Sequence, residues 1–261
     1  MSNNLSFTTT DIMMQNSPSK WYKIGIGLPY TAIITCADKG KAACRKLKIN
    51  LERGDAMQSI LIANSKGGSG KTTLSTNIAG YLASRGQRVV MLDLDRQKSA
   101  TQWLANRPSE LPVIDLIQTA EEKPEKADWL VIDSPAGMHG KNLESALKMV
   151  DKIIVPIVPS LFDIQASREF LEILSQEKAV RKGKIFIGVV GMRMEPHTRA
   201  AATLEQFIAG LDLPVLAYLR ETQVYVRAAF EGKTLFDLPP SLSERELEQW
   251  TYLLNWLEES H

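Results

Sequence analysis

The run Asn64-Ser65-Lys66-Gly67-Gly68-Ser69-Gly70-Lys71-Thr72-Thr73 has the residue types for phosphate chemistry. A glycine-rich turn lets successive backbone N–H groups converge on one anion, most favourably at a helix N-terminus. The apolar stretch Ser59–Ala63 before the turn reads as a buried strand, and Leu74–Ala83 after it reads as a helix. Gly67, Gly68, Ser69, Gly70 and Thr73 would form the cradle. Lys71 would reach the β and γ phosphates of a nucleoside triphosphate, and the Thr72 hydroxyl would sit on Mg²⁺. The usual pattern opens with a glycine five residues before its last one. Here Ser65 holds that place and is followed by a second lysine, Lys66.

Two further stations offer carboxylates. The apolar run Val89-Val90-Met91-Leu92 leads into Asp93-Leu94-Asp95-Arg96-Gln97. Carboxylates two residues apart point to the same side of a strand end, so the pair can address metal-bound water and an attacking water. An isolated Asp-x-Asp more often caps a helix; the preceding strand and phosphate turn favour the chemical reading. Trp129–Asp133 is a second apolar strand ending in an aspartate, followed by Ser134-Pro135-Ala136-Gly137. Asp133 would contact the metal, usually through water because Mg²⁺ keeps much of its hydration shell. His139 and His197 have no ligand partners at helical spacing and read as loop or surface residues.

From residue 57 onward, β and α patterns alternate. Strands are expected at Ser59–Asn64, Arg88–Leu94, Val113–Ile117, Trp129–Asp133, Lys152–Val158, Lys184–Met192 and Val215–Leu219. Helices are expected over 71–85, 98–106, 141–149, 163–181, 198–210, 222–231 and 243–258, with Gly86 stopping the first. Continuous apolar strands between helices indicate an α/β fold, a doubly wound and mostly parallel sheet covered on both faces.

Residues 1–56 differ. Their first nineteen positions are rich in Ser, Thr and Asn, and no clear period follows. Met57 stands two residues before the first strong strand, and Glu52-Arg53-Gly54 can be encoded by purine-rich codons resembling a ribosome-binding site. The segment 1–56 is therefore read as a disordered extension or a misassigned start, and 57–261 as one domain.

Of 261 residues, 44% are hydrophobic and 23% charged, with net charge +1. Residues 1–56 carry eight Lys and Arg against four Asp and Glu, and the remainder carries 23 against 26. Nucleic-acid affinity in the main domain would thus need a local patch rather than bulk charge. Both cysteines, Cys36 and Cys44, precede residue 57, which fits a reducing compartment and excludes a cysteine-ligated cluster in the main domain. No apolar run approaches the ~18 residues of a membrane span.

Taken together, Lys66–Thr73, Asp93-Leu94-Asp95-Arg96-Gln97 and Asp133-Ser134-Pro135-Ala136-Gly137 resemble the deviant Walker A (SIMIBI) P-loop ATPases, and within them the small ParA type without an N-terminal helix-turn-helix domain. Val226–Asp237 is similar to the helix and turn that close such domains, so the resemblance spans residues 57–238. It implies an ATP- and Mg²⁺-dependent homodimer in which Lys66 crosses to the partner's phosphates, Lys71 serves its own, and Asp95 orients the water. Thr72, Asp93 and Asp133 would serve the metal. The ATP-bound dimer would bind DNA without sequence preference, and a ParB-like or cargo adaptor would stimulate hydrolysis. The cargo would be a plasmid, a chromosome or a protein assembly, and the location cytoplasmic and nucleoid-associated. Arg199, Arg220, Arg227 and Lys233 would form the DNA surface, near Arg193.

One departure concerns the base. Where the family often has Asn-Arg after the sixth strand, this chain has Met192-Arg193, leaving adenine contact to backbone groups or stacking. The competing functions are membrane-site positioning of the MinD kind and metabolite-dependent biosynthesis. A membrane role needs a basic amphipathic C-terminus, and the segment from Ser243 to His261 is acidic, so no membrane partner is expected and its tryptophans should pack on the domain.

Overall fold

The computed structural model describes residues 57–119, 122 and 126–259, and four strands within the first 56. The chain divides into two compact units, 1–56 and 57–261. In the first unit, β1 (Asp11–Ser17) pairs antiparallel with β2 (Lys20–Gly25), and β3 (Tyr30–Ile34) with β4 (Ile49–Arg53). Cys36 and Cys44, and most of the segment read as an extension or misassigned start, lie outside the described residues.

The second unit holds a seven-stranded sheet: β5 (Gln58–Ile62), β6 (Val89–Asp93), β7 (Ile114–Ile117), β8 (Trp129–Asp133), β9 (Lys152–Ile157), β10 (Phe186–Met194) and β11 (Val215–Arg220). Its order is β11-β10-β9-β5-β8-β6-β7, and every pairing is parallel. All seven strands therefore stand where the apolar runs place them. β5 is central. The chain winds outward from it first through β6 and β7 and later through β9, β10 and β11, so the C-terminal end of β5 is the switch point where open α/β sheets take ligands.

The sequence pattern explains the layering. Residues alternate between faces, yet both faces are buried, so the strands are apolar throughout. Leu61, Leu92, Ile132 and Ile153 belong to one core with Phe170 and Leu143. Ile60, Ile62, Met91 and Val131 belong to the other, with Leu74, Ile78 and Trp250.

Helix α1 (Lys71–Ser84) starts at Gly70, whose φ of 93° is left-handed, and stops before Gly86 at φ 78°. Then come α2 (Ser99–Ala105), α3 (Gly140–Leu147), α4 (Leu161–Gln176), α5 (Lys178–Arg181), α6 (Arg199–Ala209), α7 (Gln223–Phe230), α8 (Pro240–Glu248) and α9 (Thr251–Glu258).

Two expected helices are each split. The 163–181 segment breaks at Glu177, which is extended (φ −65°, ψ 134°), and the short α5 buries nothing. Without an apolar face to pack, propensity alone does not carry the helix through. The 243–258 segment breaks around Trp250, which drops fully into the core and donates its Nε1–H to the Tyr225 hydroxyl at 2.9 Å.

The C-terminal helices are tied down rather than free. Leu253, Trp256 and Leu257 are buried, and Lys152 donates to the carbonyls of Trp256, Leu257 and Glu259 at 2.6–2.9 Å. These are the last carbonyls of α9, which a cation satisfies.

Arg107 after α2 meets Asp237 in a buried two-pronged pair, Nη1 and Nη2 at 2.9 and 3.1 Å from the two oxygens. Asp237 also accepts from the Thr234 backbone and hydroxyl. Removing one partner strands a buried charge. Arg107→Leu is expected to cost about 3–5 kcal/mol in a denaturant titration; a loss below about 1 kcal/mol, the surface-pair range, would show that Asp237 does not depend on it.

Candidate phosphate and metal site

The loop between β5 and α1 is held from three sides. Asn64 is buried, and its Nδ2 donates to the Pro156 carbonyl at 2.7 Å and the Ser167 hydroxyl at 2.8 Å. Its Oδ1 accepts from the Lys66 N–H at 3.4 Å, and the Gly137 N–H donates to the Ser65 carbonyl at 2.8 Å. The loop is thereby fixed to β9, to α4 and to the turn after β8. Gly68 (φ 75°) and Gly70 (φ 93°) both adopt the left-handed conformation that turns N–H groups inward. A Cβ on Gly70 would meet the Met192 Cε at 2.6 Å, so Met192, itself buried, backs the cradle from β10.

Lys71 is buried and donates from Nζ to the Lys66 carbonyl at 2.8 Å. Burial lowers the pKa of its ammonium, opposed by the nearby carboxylates of Asp133 and Asp95. Those three groups therefore share one neighbourhood.

Register brings the carboxylates together. Asp93 and Asp133 are directly paired positions on β6 and β8. Asp93 Oδ1 accepts the Asp95 N–H at 3.0 Å, and Oδ2 accepts the Thr101 N–H and hydroxyl at 2.9 and 3.1 Å. Both oxygens of Asp93 thus hold the turn that carries Asp95, whose own Oδ1 accepts the Gln97 N–H at 2.9 Å.

Asp133 differs. It is fully buried; Oδ2 accepts the Thr72 hydroxyl at 2.7 Å, while Oδ1 has no hydrogen-bond partner among the described residues. Burial and the neighbouring Asp93 push its pKa up to about 7, against the pull of the Thr72 hydroxyl, the nearby Ser75 hydroxyl and Lys71. A buried carboxylate oxygen without a partner, beside a hydroxyl, is the donor set a hard cation takes. Thr72 and Asp133 therefore fit Mg²⁺.

The other residues singled out from sequence are more dispersed. Arg193 is exposed with a left-handed φ of 52°, next to Met192. Arg199 begins α6 and Arg227 lies on α7, both exposed and without an ion pair among the described residues. Arg220 is committed elsewhere: its guanidinium bonds to the nearly buried Glu246, and its N–H to Gln249. Lys233 pairs with Glu231 at 2.7 Å. Asn64 and Thr101 position the loop and Asp93, roles that the residue types alone did not assign. Asn64 gave a signal as a polar residue ending an apolar strand. Thr101 gave none, its partner lying eight residues back.

Residues 60–235 match the family described as CobQ/CobB/MinD/ParA nucleotide binding domain. The chain belongs to this family and, within it, to the small ParA-type P-loop ATPases. It is similar to the maintenance of carboxysome distribution protein A of Halothiobacillus neapolitanus, 30% identical over 189 residues, covering 69% of this chain and 87% of that one. Over 59 residues, 23% of each chain, it is 51% identical to the chromosome-partitioning ATPase Soj of Thermus thermophilus. In fold it resembles apo McdA of Cyanothece (TM-score 0.62, 20% identity, 76% of this chain and all of that one). MinD of Pyrococcus horikoshii, solved with Mg-ADP, is also similar (TM-score 0.60, 18% identity, 78% and 97% covered). Members of this ParA/MinD family bind nucleotide with magnesium and hydrolyse it. No helix among the described residues is long and apolar enough to cross a membrane.

Asp133 supplies a pH test of the site. The folded chain keeps its proton to about pH 7, whereas an ordinary aspartate releases it near 3.8. Metal-free protein therefore loses stability as pH rises between those values. Asp133→Asn removes the buried charge, so its melting temperature in chelator should exceed wild type by roughly 5 °C above neutrality, the gain shrinking as pH falls toward 4. Equal melting curves at about pH 8 would contradict a strained, cation-seeking carboxylate.

Proposed function

We propose that the chain is an ATP-driven positioning switch that dimerises on Mg²⁺-ATP, holds DNA without sequence preference in that state, and is released when an adaptor stimulates hydrolysis. The observation that carries this reading is a phosphate loop with two lysines, Lys66 and Lys71, of which Lys71 lies near Asp133 and Asp95 at the ends of the two neighbouring strands. The H. neapolitanus relative, whose name assigns it to carboxysome distribution, supports a protein assembly as one cargo class; plasmid and chromosome cargo remain the alternatives within the same engine.

In this mechanism the N–H groups of residues 67–73 at the start of α1 bind the phosphate oxygens. Lys71 exchanges the Lys66 carbonyl for the β and γ phosphates. Thr72 and Asp133 would hold Mg²⁺, which when bound would supply positive charge to offset that of the phosphates. Asp93 holds the turn that aims Asp95 at the attacking water. Met192 supports Gly70 from behind, with Arg193 beside it at the open end of β10. Lys66 crosses to the second copy and adds positive charge to its phosphates as the bond breaks. Exposed basic side chains, Arg199 and Arg227 among those read from sequence, attract the phosphate backbone of DNA; Arg220 and Lys233 bring less because carboxylates hold them. The packed, acidic α8–α9 segment offers no basic amphipathic face for a lipid surface, which favours this reading over membrane positioning.

Lys66→Ala should bind ATP nearly as wild type in a fluorescent-nucleotide titration, remain monomeric with ATP in sedimentation, and hydrolyse at least about 10²-fold more slowly. DNA binding by this variant equal to wild type would sink the role of Lys66 in the partner's site. Asp95→Ala should behave oppositely, holding the ATP-dependent dimer while turnover is lost.

A further inference from the structure

The turn between β6 and α2 is built around a residue that breaks two local rules. Among the described residues, seven glycines adopt a positive φ and only four other residues join them. Lys98 is one of the four, at φ 53° and ψ 37°. In that left-handed conformation its Cβ crowds the backbone, whereas glycine bears no such cost. Lys98 is also the N-cap of α2, and its side chain makes no capping hydrogen bond there. Ser, Thr, Asp, Asn and Gly are the residues that suit an N-cap. Strained backbone of this kind persists where its surroundings over-determine it. Here every polar group of the residue is engaged. The Lys98 N–H donates to the Asp95 carbonyl at 3.1 Å, and its carbonyl accepts the Gln102 N–H at 2.9 Å. Its Nζ reaches back across the turn and donates to the Asp93 carbonyl.

Resting on the proposed role of Asp95, we infer that Lys98 is a positioning residue for that carboxylate. Its ammonium braces the turn from Asp93 to Lys98 in the shape that aims Asp95 at the attacking water. The ties made by Asp93 leave the middle of this turn open. Asp93 fixes its beginning through the Asp95 N–H, and the helix beyond it through Thr101. Between those points Arg96 and Gln97 are exposed, and the Asp95 carboxylate leans on the Gln97 N–H. Lys98 spans the gap twice, once from its backbone to Asp95 and once from its side chain to Asp93. A bond from a charged donor is stronger than a neutral one, and it needs the long stem that glycine lacks. Glycine would satisfy the backbone and leave the crossing tie unmade. Lysine does the reverse, accepting backbone strain and closing the turn. Stability is thus traded for placement of the carboxylate, where a displacement of about 1 Å can cost about 10²-fold in rate.

Lys98→Gly, Lys98→Ala and Lys98→Arg in the full-length protein separate the strain from the tie. Lys98→Gly relieves the strain, Lys98→Ala keeps it, and both cut the tie. Melting temperature should follow the backbone, with Lys98→Gly about 2–4 °C above Lys98→Ala. Unstimulated turnover of Mg²⁺-ATP should follow the tie, kcat falling at least about tenfold in both. KM, the affinity for fluorescent ATP and the ATP-dependent dimer in sedimentation should stay at wild-type values. Lys98→Arg keeps a cation that can reach the same carbonyl and should restore most of kcat. A residue that merely supported the fold would instead lose kcat and melting temperature together, most in Lys98→Ala. Wild-type kcat in Lys98→Gly overturns the inference while leaving the proposed function intact. Loss of ATP affinity in Lys98→Gly would make the lysine a phosphate ligand, also overturning the inference. Absence of Mg²⁺-ATP turnover by wild type itself overturns both.

Discussion

The side-by-side burial of Asp93 and Asp133 at the ends of β6 and β8 is the constraint on which the rest of the site depends. Two carboxylates at paired positions of adjacent parallel strands repel each other, and the core denies them water. The fold answers them differently. Asp93 is satisfied by three donors from the turn and helix that follow it, which makes it a structural clamp for Asp95. Asp133 keeps one oxygen without a hydrogen-bond partner among the described residues and holds its proton to about neutrality. The other oxygen accepts the Thr72 hydroxyl at the start of α1, with Lys71 nearby. The site is therefore tuned to gain most when a cation and a phosphate arrive together.

The geometry also accounts for the glycines. Gly70 has to be glycine twice over: its φ is left-handed, and Met192 fills the space a Cβ would need. Met192 thus belongs to the loop's foundation, and its place in the family's adenine-contacting pair is explained here by packing against Gly70. Asn64 ties the loop to β9 and α4 by two buried hydrogen bonds, so the cradle is set by the sheet rather than by the loop's own preferences.

Much of this was legible in the chain. Continuous apolar runs marked all seven strands, because a doubly covered sheet leaves no polar face to confuse the period. The loop, Asp93, Asp95 and Asp133 were legible because each follows such a run directly. Less visible was whatever depends on partners distant in sequence. Trp250 breaks the last helix because the core has a place for it beside Tyr225, and nothing local to 243–258 says so. Arg220 reads as a free cation until Glu246, 26 residues on, is folded against it.

The central claim is that each catalytic site is completed by Lys66 of a second copy. Mixing Lys66→Ala with Asp95→Ala tests it most directly, each variant being inactive alone. If Lys66 acts across the dimer, a mixed dimer contains one site with an intact Asp95 and an intact partner lysine. The mixture should then turn over ATP well above either variant alone, in proportion to the mixed dimers formed, each of which holds one complete site of its two. If turnover in the mixture stays at the level of the separate variants although mixed dimers form, Lys66 serves its own site and the account is wrong.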